Sequence, residues 1–396
     1  MKTKRAKPFF NFQFSIFNSP QAMKLLFLVN HAGYFLSHRL PVALAANEAG
    51  YEVHVATPRS KHVSRIEQAG LIWHPVRLTR SGLNPVAQLL SLFDIYRLYR
   101  RVRPDLVHQV TSKPVIYGTF CARLAGVPAV VNALAGLGHL YLAEDFIHRM
   151  LLRVVRIAYR ITLRHPNMRT IFQNEDDRSL FVSRGLARAD QTTIVAGSGV
   201  DTKAFAPRQP ANPRPLLIML PGRMLATKGI FEFVAAAKAL KVRYPDVRFV
   251  LVGEPDPDNP ASVTERDLDA WCSEGVVECW GRRSEMQVVY AGADVICLPS
   301  YREGMPKVLL EAGAMGLPVV TTDVPGCRDV VVDGLNGFVV PVRDSGVELA
   351  KALERLIVSD ELRRDLGAAG RKRVLDLYSL EHVIEATLAV YRELLP

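Results

Sequence analysis

Cysteine is scarce in this chain of 396 residues. The five cysteines are scattered and form no Cys-x-x-Cys pair: Cys121, Cys272, Cys279, Cys297 and Cys327. This distribution favours reduced thiols in a cytoplasmic protein. Residues 1–22 lack the unbroken apolar segment and the small-residue cleavage site of a secretory signal, so we expect no signal peptide.

The first βαβ unit also lacks the Gly-x-Gly-x-x-Gly fingerprint, which excludes the usual dinucleotide site there. Apolar runs predict parallel strands at 25–29, 52–56, 73–78, 106–111 and 129–134, with one long helix from about residue 34 to 49. Such a chain is too long for a single core, so two α/β domains are expected.

Charge is distributed unevenly along the chain. Residues 1–210 hold 28 Lys and Arg against 12 Asp and Glu, a balance of +16, whereas residues 211–396 hold 22 against 27, a balance of −5. The basic half favours an anionic ligand or surface. Nucleic acid and anionic lipid both stay open on charge alone. Residues 1–22 combine lysines with phenylalanines and predict a disordered extension, with contact at a membrane interface as the alternative.

The chain is organised around residues 298–323. An apolar strand precedes Glu303 and Gly304, Pro306 opens a helix, and a second apolar strand begins at Val319. The free N–H groups at the helix start, those of Met305, Lys307 and Val308, suit a diphosphate. Glu303 and Glu311 are eight positions apart and are expected to contact different parts of one extended ligand.

The sequences Ser-Tyr-Arg-Glu-Gly-Met-Pro (300–306) and Leu-Glu-Ala-Gly-Ala-Met-Gly-Leu-Pro-Val (310–319) resemble the signature of the retaining family-four glycosyltransferases of GT-B fold. The resemblance implies an α/β fold with two facing, doubly wound Rossmann-like domains and a C-terminal helix that crosses back to the first. It also implies that Glu303 holds hydroxyls of the donor sugar and that Glu311 holds those of the ribose.

After the strand at 216–221, Gly222, Arg223 and Lys228 resemble the family element in which Arg and Lys clamp the donor diphosphate. The predicted division of the chain is an extension (1–22), an acceptor- and membrane-facing domain (23–206), a proline-rich linker (207–215), a nucleotide-sugar-binding domain (216–378) and a crossover helix (379–396). The catalytic prediction names Glu303, Arg223 and Lys228. The donor site adds Gly33, Gly222, Gly304, Met305 and Glu311.

The acceptor side is predicted on the first domain. Gly33 belongs to a loop that faces the donor phosphates in similar enzymes, with a plain turn glycine as the alternative. His31 beside it is an acceptor-side candidate, and the alternative is a histidine at a helix start without a catalytic role. Relatives carry a histidine directly after the fifth strand. In this chain the strand is followed by Gly136, Gly138 and His139, which leaves the catalytic partner of the first domain open.

Five arginines recur at helical spacing among apolar residues: Arg149, Arg153, Arg156, Arg160 and Arg164. They predict a helix that lies on an anionic membrane surface, with an ordinary surface helix as the alternative. The arginines make a membrane span very costly.

These observations predict a bacterial enzyme that transfers a hexose or N-acetylhexosamine from a UDP-sugar to a glycan acceptor linked to polyprenyl diphosphate, with retention. The first domain looks most like that of bacterial enzymes acting on such lipid-linked glycans. We expect no cofactor, no metal and no nucleic acid, and a peripheral location on the inner face of the cytoplasmic membrane. The alternatives are a nucleotide-sugar 2-epimerase of GT-B shape and a non-catalytic nucleotide-sugar-binding module.

Overall fold

The computed structural model describes residues 22–79, 84–136, 146–207, 214–257, 259–344 and 346–395, and only the backbone of 146–148. The expected extension (apart from residue 22), most of the linker, Gly138 and His139 lie outside these ranges. One parallel sheet precedes the linker in the chain and a second follows it, which confirms the predicted pair of α/β domains.

The first sheet has seven parallel strands in the order β3-β2-β1-β4-β5-β6-β7. Its elements follow the chain as β1 (Lys24–Val29), α1 (Ala32–His38), α2 (Leu40–Glu48), β2 (Glu52–Thr57), α3 (Val63–Gln68), β3 (Ile72–Pro75), α4 (Pro85–Val102), β4 (Leu106–Val110), α5 (Ser112–Ala125), β5 (Ala129–Leu134), α6 (Phe146–Thr162), β6 (Met168–Phe172), α7 (Glu175–Ser183) and β7 (Thr192–Ile194).

The second sheet has six parallel strands in the order β10-β9-β8-β11-β12-β13. Its elements are β8 (Leu217–Pro221), α8 (Ile230–Lys241), β9 (Arg248–Val252), α9 (Glu265–Ser273), β10 (Glu278–Cys279), α10 (Met286–Tyr290), β11 (Val295–Leu298), α11 (Lys307–Ala314), β12 (Val319–Thr322), α12 (Cys327–Val330), β13 (Gly337–Val340), α13 (Val347–Val358) and α14 (Asp360–Leu377), followed by α15 (Leu380–Leu394).

Alternating side chains of the central strand build the core on both faces of the first sheet. Leu25 and Phe27 pack in one apolar cluster, and Leu26 and Leu28 in another. Burial of both faces explains why these strands are continuous apolar runs. Helix α15 returns to the first domain, where Tyr391 joins the first of these clusters.

The predicted single helix between residues 34 and 49 is wrong, because Arg39 separates α1 from α2. Pro41 has no N–H to donate to the carbonyl of Ser37, as a continuous helix would require. That carbonyl instead accepts a hydrogen bond from Lys307 Nζ at 3.3 Å. The third strand is also shorter than expected and ends at Pro75.

The expectation of five reduced thiols is wrong for Cys272 and Cys279, which form a disulfide with their Cα atoms 6.6 Å apart. The chain turns back between α9 and β10, and this turn brings the two residues together. Cys121, Cys297 and Cys327 are free and buried.

Candidate active site

Glu303 lies in the loop between β11 and α11, at the C-terminal edge of the second sheet. Its carboxylate forms an ion pair with Lys228, which follows the neighbouring strand β8. Ser300 Oγ donates to the same carboxylate oxygen at 2.7 Å. Because β8 and β11 are adjacent, the sequence-predicted pair is brought together at one point of the sheet edge.

Glu311 lies in the second turn of α11 and is only 8% exposed. The Tyr290 hydroxyl donates to one carboxylate oxygen at 3.0 Å, and Lys307 Nζ lies 3.5 Å from the other. Burial raises the pKa of Glu311, and the nearby ammonium of Lys307 opposes that rise.

The beginning of α11 lies between the two glutamates. Pro306 occupies the N-cap, no side chain caps the helix, and no acidic residue lies in its first turn. The N–H groups of Lys307 and Val308 therefore carry the positive end of the helix dipole without a competing carboxylate at this end. Such a helix start suits an anion.

Arg223 follows β8 and donates from NH1 to Asp256 Oδ2 at 2.7 Å. Its side chain is about half-exposed. Gly222, which precedes it, would point an added Cβ into open space, whereas the same atom on Gly253 would lie 1.7 Å from the Gly222 carbonyl oxygen. The loops after β8 and β9 are thus packed tightly against each other at Gly253. The space in front of the Gly222 Cα is unfilled.

Gly304 is enclosed by the first domain. An added Cβ would lie 2.7 Å from Gln173 Oε1 and 2.8 Å from the backbone nitrogen of Gly136. Asn174 Nδ2 also donates to the Gly304 carbonyl at 2.7 Å. Gly136, predicted on the acceptor side, therefore lies directly against the loop that carries Glu303.

Two ion pairs that the sequence did not indicate join the domains, one at this loop and one at α12. Arg302 pairs with Asp177, which is 1% exposed, and Arg328 pairs with Asp176. The acidic start of α7 was visible in the sequence as Glu175-Asp-Asp177, but its partners are more than 120 positions away. Burial raises the pKa of Asp177, and Arg302 opposes that rise.

The opening of the first domain differs from expectation at Gly33, which lies within the first turn of α1 rather than in a loop. His31 is the N-cap of that helix, and its Nδ1 accepts from Tyr34 N at 3.1 Å. An added Cβ on Gly33 would meet the rings of His31 and His62. His31 therefore has a structural role at the helix start.

The side chain of Met305, predicted at the donor site, packs on the segment at 195–201. An added Cβ on Gly197 would lie 2.6 Å from its Cγ.

The arginine stripe on α6 is less regular than expected. Arg149, Arg153 and Arg160 are exposed on the helix, Arg156 is half-buried, and Arg164 lies beyond the last helical residue. An exposed apolar row lies beside them on the same helix: Met150, Val154, Ile157 and Ile161.

Within the described ranges, no cluster of three or more His, Cys, Asp or Glu side chains has the arrangement of a metal site. Asp256 pairs with Arg223, and Asp267 forms a capping box with Thr264 at the start of α9. No described helix is both long enough and apolar enough to cross a membrane.

Both halves of the chain match known families. Residues 24–172 match the family described as "Glycosyl transferase 4-like", and residues 215–359 match "Glycosyl transferases group 1". The second match contains the Lys228, Glu303 and Glu311 cluster described above.

Two curated relatives extend this similarity. The N,N'-diacetylbacillosaminyl-diphospho-undecaprenol alpha-1,3-N-acetylgalactosaminyltransferase of Campylobacter jejuni is 26% identical over 87% of this chain and 92% of its own length. The UDP-Gal:alpha-D-GlcNAc-diphosphoundecaprenol alpha-1,3-galactosyltransferase of Escherichia coli is 26% identical over 66% of this chain and 69% of its own length.

Among solved structures, that of the Anabaena protein HepE in complex with UDP is similar in fold. It has a TM-score of 0.76 and 19% identity, and the match covers 94% of this chain and all of the other. The chain is therefore a glycosyltransferase of GT-B fold that belongs, in its two halves, to the glycosyl transferase 4-like and group 1 families.

Proposed function

We propose that this enzyme transfers a hexose or N-acetylhexosamine from a UDP-sugar to a glycan carried on a polyprenyl diphosphate, with retention of configuration at the transferred carbon. The observation that carries the proposal is the convergence of Lys228, Glu303, Glu311 and the uncapped start of α11 at one sheet edge. The relatives named above act on diphospho-undecaprenol glycans, and one of them uses UDP-galactose.

In the proposed mechanism the donor diphosphate lies at the start of α11, beside Lys228 and Arg223. Negative charge accumulates on the departing UDP as the sugar bond breaks. Fixed cations and helix N–H groups stabilise that charge in the transition state without any reorganisation of solvent. These groups supply the positive charge, so the proposal includes no metal ion.

Glu303 is proposed to accept hydrogen bonds from the donor sugar. Lys228 and Ser300 already hold its carboxylate in place, which favours a positioning role over attack on the sugar carbon. No covalent enzyme intermediate is then needed, because the departing phosphate oxygen accepts the proton of the acceptor hydroxyl.

Glu311 is proposed to accept two hydrogen bonds from the vicinal hydroxyls of the ribose. Tyr290 and Lys307 orient its carboxylate from two sides. Binding of the free nucleotide is therefore expected to depend on Glu311, whereas binding of the sugar is expected to depend on Glu303.

The acceptor is proposed to reach the active site from the membrane. Exposed Arg149, Arg153 and Arg160 lie beside the exposed apolar row of α6, which suits a helix lying flat on anionic lipid. The enzyme would then act at the inner face of the cytoplasmic membrane as a peripheral protein.

A panel of radiolabelled UDP-sugars, incubated with the purified chain and a bacterial lipid extract, tests this function. Passage of label into the organic phase for at least one sugar is expected, and omission of the extract should abolish it. Release of an epimerised UDP-sugar without extract would support the epimerase instead. Tight binding with every donor unchanged would support a non-catalytic module.

A further inference from the structure

A cavity of about 1000 Å³ opens in the first domain at the C-terminal ends of β2 and β3, against α4. The chain segments after the two strands form one wall, and the helix forms the other. This is the sheet edge that also carries the loops of the candidate active site, because all strands of the sheet are parallel. None of the site residues discussed so far lines it.

The cavity is strongly cationic. Arg59, Arg77, Arg97 and Arg101 line it, and Asp94 is the one carboxylate among the lining residues. Asp94 forms an ion pair with Arg77, which donates to its two carboxylate oxygens at 2.6 and 2.7 Å. Within the described ranges, the other three arginines form no ion pair with a carboxylate, and Arg101 Nη2 lies 3.3 Å from His74 Nδ1.

Two of these arginines lie on aromatic rings. The guanidinium carbon of Arg59 is 5.4 Å from the ring centroid of Trp73, and that of Arg97 is 5.5 Å from the ring of Phe93. Stacking limits the motion of a guanidinium while leaving its N–H groups at the edge. Such groups bind phosphate oxygens bidentately.

The same cavity has an apolar wall. Leu78, Leu90 and Leu98 line it, and Leu90 is also exposed at the surface of α4. From there the apolar surface continues over the exposed side chains of Val86 and Leu89. A free inorganic anion would leave this apolar surface exposed to water. A phosphate carried on a hydrocarbon chain would contact both the arginines and the leucines.

Two contacts join the walls of the cavity to the segments that follow β1 and β4. The segment that contains Arg59 leads to His62, whose ring centroid is 6.3 Å from that of His31 at the start of α1. On the other side, Lys113 at the start of α5 donates to the Thr79 carbonyl at 3.2 Å. The cavity and the start of α1 therefore lie at the same edge of the first sheet.

We propose that this cavity binds the diphosphate and the first isoprene units of the lipid-linked acceptor. Arg59, Arg97 and Arg101 contact the phosphate oxygens, and the leucines of α4 contact the hydrocarbon. The inference rests on the proposed function in taking the acceptor to be a polyprenyl diphosphate. It assigns that substrate a binding site separate from the donor residues.

Calorimetric titration of the full chain with geranylgeranyl diphosphate tests the site without requiring catalysis. The Arg59→Gln/Arg97→Gln variant is expected to bind at least about tenfold more weakly, because two charge-assisted contacts are lost. The matched control is Arg65→Gln/Arg100→Gln, which removes the same charge from exposed positions outside the cavity. It is expected to stay within about twofold of the wild type.

Three outcomes of this titration would overturn the proposal. Equal losses in the two variants would mean that net charge alone attracts the ligand. Inorganic diphosphate binding as tightly as geranylgeranyl diphosphate would mean a plain anion site. Competition by phosphatidylglycerol vesicles as effective as that by the prenyl diphosphate would mean a headgroup site. Thermal melts of both variants check that the fold is intact.

A transfer assay separates failure of the cavity from failure of the proposed function. With lipid acceptor, the Arg59→Gln/Arg97→Gln variant should raise the acceptor KM about tenfold and leave the UDP-sugar KM unchanged. An unchanged acceptor KM in an enzyme that does use lipid acceptors would refute the cavity alone. Wild-type enzyme that binds the prenyl diphosphate through these arginines, yet transfers no sugar to lipid, would refute the proposed function alone.

Discussion

Lys228 and Glu303 form an ion pair at the C-terminal edge of the second sheet, although they are 75 positions apart in the chain. The sequence placed them on different parts of the donor, one on the diphosphate and the other on the sugar. Their contact puts the charge that stabilises the leaving group next to the carboxylate that holds the sugar. The bond that breaks in the reaction is therefore expected to lie beside this ion pair.

Gly304→Ala should impair the enzyme through contact between the domains. The added Cβ would lie 2.7 Å from Gln173 Oε1 and 2.8 Å from the backbone of Gly136, so the loop must shift. Overpacking of this kind costs about 1 to 3 kcal/mol. We expect kcat to fall about tenfold or more, because the loop also carries Glu303.

Gly370→Ala is the control for this prediction, since its added Cβ would make only ordinary van der Waals contacts, the nearest at 3.7 Å to the Gly313 Cα. Steady-state kinetics and thermal melts of both variants provide the comparison. Equal effects on kcat would contradict the close packing at Gly304.

Arg302→Met should destabilise the fold by about 3 kcal/mol, because it leaves the buried carboxylate of Asp177 without its cation. The pKa of Asp177 is already raised by burial and should rise further in this variant. The penalty is thus present above that pKa and is relieved as the pH falls through it. Chemical denaturation at two pH values measures both effects.

Arg328→Met removes two more exposed ion pairs, with Asp176 and Asp323, each of which should contribute less than about 1 kcal/mol. The double change Arg302→Met/Asp177→Asn should recover much of the lost stability, since no unpaired charge remains. No recovery would mean that packing, rather than charge, dominates at this position.

The affinity for a UDP-sugar should fall as the pH is lowered through the raised pKa of Glu311. Above that pKa the carboxylate accepts two hydrogen bonds from the ribose, and protonation removes part of this capacity. The fall should begin at a higher pH than an ordinary glutamate would allow. Titration calorimetry from pH 5 to 8 measures it, and Glu311→Gln should bind weakly with no such slope.

Arg149→Gln/Arg153→Gln/Arg160→Gln should weaken binding to vesicles that contain phosphatidylglycerol. Each basic residue near an anionic surface contributes about 1 kcal/mol, so three predict a loss on the order of 100-fold at low salt. Vesicle sedimentation measures the partition.

The control for membrane binding is Arg243→Gln/Lys351→Gln/Arg364→Gln, which removes the same charge from exposed positions of the second domain. An equal loss in both triple variants would indicate attraction by net charge and would contradict a specific role for α6.

Much of the fold was predictable because buried parallel strands are short apolar runs with turns at their ends. The strand at 129–134 was predicted to the residue, and the strands that precede Lys228 and Glu303 nearly so. The contact between Lys228 and Glu303 follows the same logic, since the C-terminal ends of adjacent parallel strands meet at one edge of the sheet.

The features that sequence reasoning missed depend on contacts between distant segments. The pairing of Arg302 with Asp177 arises only when the two domains dock, and nothing local to either residue indicates the other. The break at Arg39 does have a local signal in Pro41, whose missing N–H disfavours a continuous helix. The arginines of the cavity come from three separate segments and have no common spacing in the chain.

The most direct test of the account is the rate at which label passes from a UDP-sugar to lipid in the Arg223→Met/Lys228→Met variant, with donor affinity measured in parallel. Removal of fixed charge from the leaving group predicts a fall in kcat of at least about 1000-fold. Lys238→Met, an exposed lysine on α8, should leave kcat unchanged. Wild-type turnover in the double variant would contradict the central claim that these two cations stabilise the departing diphosphate.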